Sequence, residues 1–304
     1  MTTAHGVVPR RAAHCAGPPL LPRMTSEPIT SASNPRVVAA ARLRDARERR
    51  GVGLTLVDGR REIARAAAAG VEIVEVFATA AGASGDWLVP IAAAGARVTP
   101  VAGAAFAKVA YGDRDEGCVA VVRFQGRAIG TVDFPAEGAL LVVEGIEKPG
   151  NLGAILRTVD AAGVGGVIAC GPGTDPANPA VIRASLGTVF SVPLACGTTA
   201  EAIAACEASG RRVIAAMPQG RVAWHEADLS GAPAILLGSE AHGIDPAWEA
   251  AARGGRLRLG TVRLPMHGIA DSLNVAATAA VLAYEHRRQL DARRSTVLPE
   301  RRAP

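Results

Sequence analysis

The stretch ALLVVEGIEKPGNLGAILRT, residues 139–158, decides how the chain folds. Its first part, Ala139 to Glu144, is apolar for five consecutive residues, the pattern of a central strand covered by helices on both faces. The chain then turns through Pro149 and Gly150 and enters a helix expected from about 152 to 162, with Asn151 near its start. A buried strand that feeds a helix is the first half of a parallel βαβ unit, and the sequence beyond repeats the alternation. Strands are expected at 166–169, 191–194, 212–216 and 234–238, helices at 178–188 and 199–209, then an extended piece at 256–264 and a long helix at 272–289. Residues 139–289 therefore read as an α/β domain with a mainly parallel sheet.

Upstream, Gly, Pro and charge alternate without periodicity from 125 to 138, which marks a linker. Before it, residues 29–124 read as a smaller α/β unit. Asn34 followed by Pro35 has the form of an N-cap with Pro at the first helical position and opens a helix over about 35–49. Strands at 53–57, 71–77, 97–101 and 118–124 alternate with helices at 60–69, 86–94 and 103–109. Residues 1–28 read as a disordered tail in which Met24 is a candidate translation start, and 290–304 as a basic tail.

The chain has 304 residues, 49% hydrophobic and 20% charged, a composition that excludes general disorder and suits two packed domains. No apolar run approaches the roughly 18 residues of a membrane span, and the first residues lack the apolar core of a secretion signal. Five cysteines, odd in number and without C-x-x-C spacing, argue against a disulfide framework or a zinc site. Buried free thiols in a reducing cytoplasm, with no metal, are expected.

The net charge of +5 is unevenly placed: residues 1–50 hold nine Arg against three acidic residues, and 286–304 hold six against two. Arg outnumbers Lys 31 to 2, which codon bias explains, but bias does not explain the gathering of Arg36, Arg42, Arg44, Arg47, Arg49 and Arg50. That cluster is the footprint of phosphate-backbone binding, with a solvated helix face as the alternative.

In open α/β sheets, ligands bind beyond the carboxyl ends of strands, which points to three loops. The first holds Asn151 and, six residues on, Arg157, which projects about 120° away around the helix. Alone, this loop reads as a capping Asn and a surface Arg. The second, ILLGSEAHGI at 235–244, runs a buried strand into Gly238, Ser239 and Glu240. Gly238 there permits close approach to backbone, Gly243 permits positive φ, and the Glu240 carboxylate can accept hydrogen bonds. The third, VRLPMHGIADSLNVA at 262–276, is fixed by Pro265 and bent by Gly268, with Ser272 placed to cap the next helix. His267 has the chemistry of a catalyst and the position of a bystander. No G-x-G-x-x-G or G-x-x-x-x-G-K-[ST] fingerprint occurs, which weakens nicotinamide and ATP chemistry.

In this order, NLGAILRT at 151–158, LGSEAHGI at 237–244 and LPMHGIADSLNV at 264–275 resemble the three signature motifs of SpoU-type RNA ribose 2′-O-methyltransferases of the SPOUT superfamily. The resemblance covers about 139–286. The segment from ITSASNP at 29–35 onward is similar to the L30e-like substrate-binding domain that precedes it in many members. The resemblance implies a trefoil-knotted catalytic domain, bound S-adenosylmethionine, a homodimer whose site uses both subunits, and a structured RNA substrate, rRNA before tRNA, in the cytoplasm. It implies catalytic and positioning roles for Asn151, Arg157, Glu240, Ser272 and Asn274. Cofactor contacts would come from Gly238, Ser239, Gly243, Ile244, Leu264, Pro265, Met266 and Leu273, and RNA contacts from the arginine cluster. Leu264 stands where the family often has Ile, and Ala276 where it often has Ser. Proton removal by Arg157 is the family proposal, but a guanidinium does not deprotonate in proteins, so phosphate holding and stabilisation of a developing alkoxide fit it better. A catalytically inactive RNA-binding protein and a dinucleotide-dependent oxidoreductase are the competing readings.

Overall fold

The computed structural model describes residues 27–111, 116–239 and 242–297. The Asn34 side chain accepts a hydrogen bond from the Arg36 N–H at 3.0 Å and Pro35 occupies the first turn, so helix α1 (Pro35–Arg42) starts where the sequence indicates. It is shorter than the expected 35–49 span. Asp45 accepts from the N–H groups of Arg47 and Glu48 and so caps a separate helix, α2 (Ala46–Val52), which ends at Gly53 in the left-handed region. An Asp inside an arginine-rich run is a better cap than an interior residue, and the helix breaks there.

Then follow β1 (Leu54–Asp58), α3 (Arg60–Ala68), β2 (Ile73–Ala78), α4 (Val89–Ala93), β3 (Arg97–Pro100), α5 (Gly103–Val109) and β4 (Cys118–Arg123). The strands form a four-stranded sheet in the order β1-β4-β2-β3, antiparallel except for the parallel β2/β3 pair. Residues 125–138 are not free of regular structure as expected. They supply β5 (Arg127–Ala128), an edge strand of the second sheet too short to leave a periodic signature.

The second sheet is built from β6 (Leu140–Glu144), α6 (Pro149–Ala162), β7 (Val167–Cys170), α7 (Pro179–Ala184), β8 (Leu194–Gly197), α8 (Thr199–Ala208), β9 (Val213–Ala216), β10 (Val222–Ala223), β11 (Ala234–Leu237), α9 (Pro246–Arg253), β12 (Leu259–Arg263) and α10 (Val275–Val297). Its eight strands run in the order β10-β12-β9-β11-β6-β7-β8-β5, and every pair is parallel. The five-residue apolar run is the reason β6 is central. Leu141 and Val143 face α6 and α10 in a core with Leu152, Ile155, Leu156 and Leu282, whereas Leu140 and Val142 face Ile203, Cys206 and Trp248 on the other side.

Several boundaries differ from expectation. The helix expected at 178–188 ends at Ala184 because Leu186 (φ 55°) and Gly187 (φ 81°) leave the right-handed region. The strand expected at 191–194 begins only at Leu194, after Pro193, which has no N–H to give a ladder. The last helix starts at Val275 because Asn274, not Ser272, accepts from the Ala276 N–H at 2.9 Å. It runs through residues 290–297, expected to be tail. Helix α9 lies where the sequence pattern indicates no helix, although Asp245-Pro246 repeats the cap signature of Asn34-Pro35.

The tail expected up to residue 26 and the tail residues 298–304 lie outside the described residues. Cys118, Cys170, Cys196 and Cys206 are free thiols, and burial pushes Cys196 and Cys206 up to about 11, well away from reactive thiolate. No group of three or more candidate metal ligands occurs among the described residues, and none of their helices is long and apolar enough to cross a membrane.

His286 fixes α10 to the sheet. Its Nε2 accepts from the Ala139 N–H at 3.1 Å, so Nδ1 carries the proton and donates to the Leu229 carbonyl at 2.6 Å. Burial lowers the His286 pKa below its ordinary 6.5. The unfolded chain therefore binds the proton first, and the His286 contribution to stability is intact above about pH 6.5 and lost as pH falls below it. Asp58, raised to about 6 mainly by burial, acts in the opposite sense. Melting curves of wild type and His286→Gln should thus converge on acidification from pH 7.5 to 5.5, and parallel curves would remove His286 as the cause.

Candidate active site

Loops at the carboxyl ends of β9, β11 and β12 meet around a cavity of about 310 Å³, inside the range of small-molecule sites. Gly238 makes the first crossing possible. A Cβ there would lie 2.3 Å from the Gly243 carbonyl carbon, so the strand exit and the returning turn touch backbone to backbone. Two hydrogen bonds of 3.0 Å between Ser239 and Gly243 close that turn. Gly243 itself has φ 68°. Of the residues expected at a cofactor, Gly238, Ser239, Gly243, Ile244, Leu264, Met266 and Leu273 line this cavity; Pro265 is exposed and does not.

Ser272 also lines it, with Asp271, although Ser272 is not the helix cap. Asn274, which is the cap, donates from Nδ2 to Asn151 Oδ1 at 3.1 Å. Two residues 123 positions apart thus meet where α6 and α10 begin. Asn151 sits inside the first turn of α6 and not at its cap, which is Lys148. Arg157 is not part of this contact. It is exposed on α6, outside the cavity, and makes no hydrogen bond or ion pair among the described residues. Glu240 lies outside the described residues.

Two features of the site carry no motif in the sequence. Residues 216–219, from the last residue of β9 onward, form one wall of the cavity. Their position at a parallel strand end was the available signal, but they carry no distinctive residue types. Glu144, at the end of β6, is buried and accepts from Thr199 Oγ1 (2.5 Å), the Asp245 N–H (2.7 Å) and Trp248 Nε1 (3.2 Å), joining the starts of α8 and α9 to the central strand. A charge ending an apolar strand was the sign of it.

The arginine cluster divides. Arg42, Arg47 and Arg50 are exposed and have no side-chain hydrogen bond or ion pair among the described residues. Arg36 is held by Glu75 and Thr99, and Arg44 by the Lys108 and Ala110 carbonyls. Arg49 does not take the phosphate-contacting position expected of it: it is 3% exposed, pairs with Asp175 at 3.1 Å and donates to the Leu43 and Arg44 carbonyls, so its charge ties α2 to the second sheet's loop 171–178.

Fold and cavity together define the class: an α/β protein with a parallel sheet whose ligand site is assembled from loops at strand ends. The SpoU rRNA methylase family matches residues 138–284, and the MRM3-like substrate-binding domain matches residues 34–120. A 23S rRNA (guanosine-2′-O-)-methyltransferase of Bordetella pertussis is 34% identical over 207 residues, 64% of this chain and 80% of that protein. A solved RNA 2′-O-ribose methyltransferase superposes with a TM-score of 0.73 at 34% identity, covering 90% of this chain and all of that one. An AdoMet-bound rRNA methyltransferase from Sinorhizobium meliloti gives 0.77 at 27% identity, covering 87% and 98%. The chain belongs to the SpoU rRNA methylase family.

Proposed function

We propose that the chain is an S-adenosylmethionine-dependent methyltransferase that acts on ribose 2′-hydroxyls of rRNA. The observation that carries this reading is the Asn151–Asn274 hydrogen bond, which joins the first signature segment to the third, while the third shares the cavity lining with the second. The cavity fits the cofactor: Leu264, Met266, Leu273 and Ile244 offer apolar walls for an adenine, and the crossed backbones at Gly238 and Gly243 offer polar edges. When bound, S-adenosylmethionine supplies an activated sulfonium methyl. The chain's own residues then orient the ribose and deal with the hydroxyl proton. Asn151 and Asn274 fix the entry to the site, Ser272 adds a hydroxyl, and Glu240 belongs to the same set by its place in the second motif. Arg157 holds the neighbouring phosphate and stabilises the developing alkoxide, with the proton leaving to phosphate or water.

The exposed position of Arg157, with no ion pair among the described residues, supports a homodimer in which a partner supplies part of each site. Ile269, Leu273 and Tyr284, large apolar residues exposed on the crossover and α10, support the same reading. The crossover from β12 over the ends of β9 and β11 to α10, which packs on α6, supports a trefoil knot through the loop 217–233. The first sheet and its helices serve as the L30e-like substrate-binding domain, and residues 139–289 as the catalytic domain, working in the cytoplasm on rRNA. A catalytically inactive binding protein is disfavoured because it would not need to keep this cavity.

Calorimetry should give saturable binding of S-adenosylmethionine and none of NAD, and 2′-O-methyl mapping of rRNA with and without the gene should show a site that disappears. Binding of NAD alone, or unchanged maps, would overturn the reading. Affinity for rRNA should fall steeply with salt, and alanine at Arg42 and at Arg47 should each make the log–log slope shallower by about 0.7–0.9. Alanine at Arg49 should instead destabilise the fold.

A further inference from the structure

A second cavity, of about 490 Å³, lies at the carboxyl ends of β6, β7 and β8, between the two sheets' units. We propose that it receives the nucleobase of the RNA nucleotide whose ribose is methylated, an inference that rests on the RNA methyltransferase reading. The two cavities share a wall. A Cβ on Gly145, at φ 65°, would lie 3.2 Å from Ser239, which lines the first cavity, while the next residue, Ile146, lines the second. Leu152 lines the second as well, and its neighbour Asn151 binds Asn274, which stands between Leu273 and Val275 of the first. The paired asparagines are thus next in the chain to lining residues of both cavities, a position in which a sugar would have its base on one side and the methyl donor on the other.

The lining suits a flat ligand with polar edges. Val143, Ile146, Leu152 and Ala169 give an apolar floor on which a base can lie. Gly126, Gly171, Gly173 and Gly197 line it too, and Thr174 and the Gln125 side-chain oxygen offer polar groups to a base edge, one Gln125 amide N–H being given to the Arg50 carbonyl at 3.3 Å. Single-stranded RNA is read through splayed-out bases in this manner. Charge selects a nucleotide over a neutral ring compound. Asp175 neutralises Arg49, but Arg50 on the rim is exposed and without an ion pair among the described residues, placed for a phosphodiester. The cavity takes Arg50, Phe124 and Gln125 from the N-terminal unit and its floor from the catalytic sheet, so the Arg49–Asp175 pair and the 2.5 Å bond from Thr55 Oγ1 to the Ala177 carbonyl hold the pocket's halves together.

The test uses the full chain, tritiated S-adenosylmethionine and rRNA from a strain lacking the gene. Arg50→Glu should raise KM for RNA about tenfold, and Ala169→Leu, which fills the floor, should lower kcat/KM by a similar factor. Cofactor affinity by calorimetry should stay at the wild-type value in both, which also shows that they fold. Wild-type KM and kcat in both variants would overturn the proposal, as would micromolar binding of free AMP, GMP, CMP or UMP that either variant abolishes without affecting methyl transfer. A wild type that binds cofactor and methylates no RNA removes the activity reading and this proposal together; an active wild type with unaffected variants removes this proposal alone.

Discussion

Arg157→Ala should lower kcat about 10²–10³-fold while leaving the melting temperature and cofactor affinity where they are. The first half of that expectation comes from charge. A 2′-oxygen becomes more negative as its proton leaves, and a guanidinium is the one permanently positive group that the first motif supplies. The second half comes from position. Arg157 is exposed on α6, outside the cofactor-type cavity, and has no hydrogen bond or ion pair among the described residues, so its loss removes no packing and no buried partner. Surface changes of that kind stay within about 0.5 kcal/mol. Arg157→Lys separates two versions of the role: a point charge keeps part of the rate if electrostatics suffice, and loses it if a bidentate grip on phosphate is needed. Single-turnover methyl transfer to rRNA with saturating cofactor is the measurement, and wild-type turnover in Arg157→Ala would take the residue out of the mechanism.

Gly238→Ala should abolish cofactor binding and destabilise the catalytic domain by about 3 kcal/mol or more. The methyl would lie 2.3 Å from the Gly243 carbonyl carbon and 2.4 Å from its oxygen, backbone atoms that cannot swing aside as a side chain would. The strand exit and the turn must part, and the cavity they jointly line opens. Gly243→Ala is the informative control. Its φ of 68° makes alanine unfavourable by about 1–2 kcal/mol, yet among the described residues, chain neighbours aside, no atom lies within 4 Å of the added carbon. Thermal melts and calorimetric titration of S-adenosylmethionine should therefore rank Gly243→Ala as the milder lesion. Equal effects would show that backbone conformation, not the close approach, matters at this turn.

Much of the fold was legible because its signals are local. Asn34-Pro35 placed α1, and the apolar runs placed β6 and β11 within a residue. Errors arose where two local signals compete, as at Asp45, which splits the expected helix, and at Asn274, which caps α10 in place of Ser272. They also arose where elements are too short to be periodic, as with β5 and β10. Within the candidate site, the cavity-lining residues of the second and third motifs were legible because glycine, proline and serine mark turns. The wall at 216–219 was not, since its residues become a ligand surface only through what lies opposite them.

By itself the sequence determined the βα alternation, the parallel sheet, the three loops and the family they resemble, because periodicity and turn chemistry act over a few residues. Only the tertiary structure decided which side chains meet. It paired Asn151 with Asn274, set Arg157 apart from both, and took Arg49 out of the basic face to pair with Asp175. Contacts between residues more than a hundred positions apart depend on strand order, on helix packing and on whether a neighbour of opposite charge is near enough to bury the ion, none of which is written in the stretch of chain around either residue.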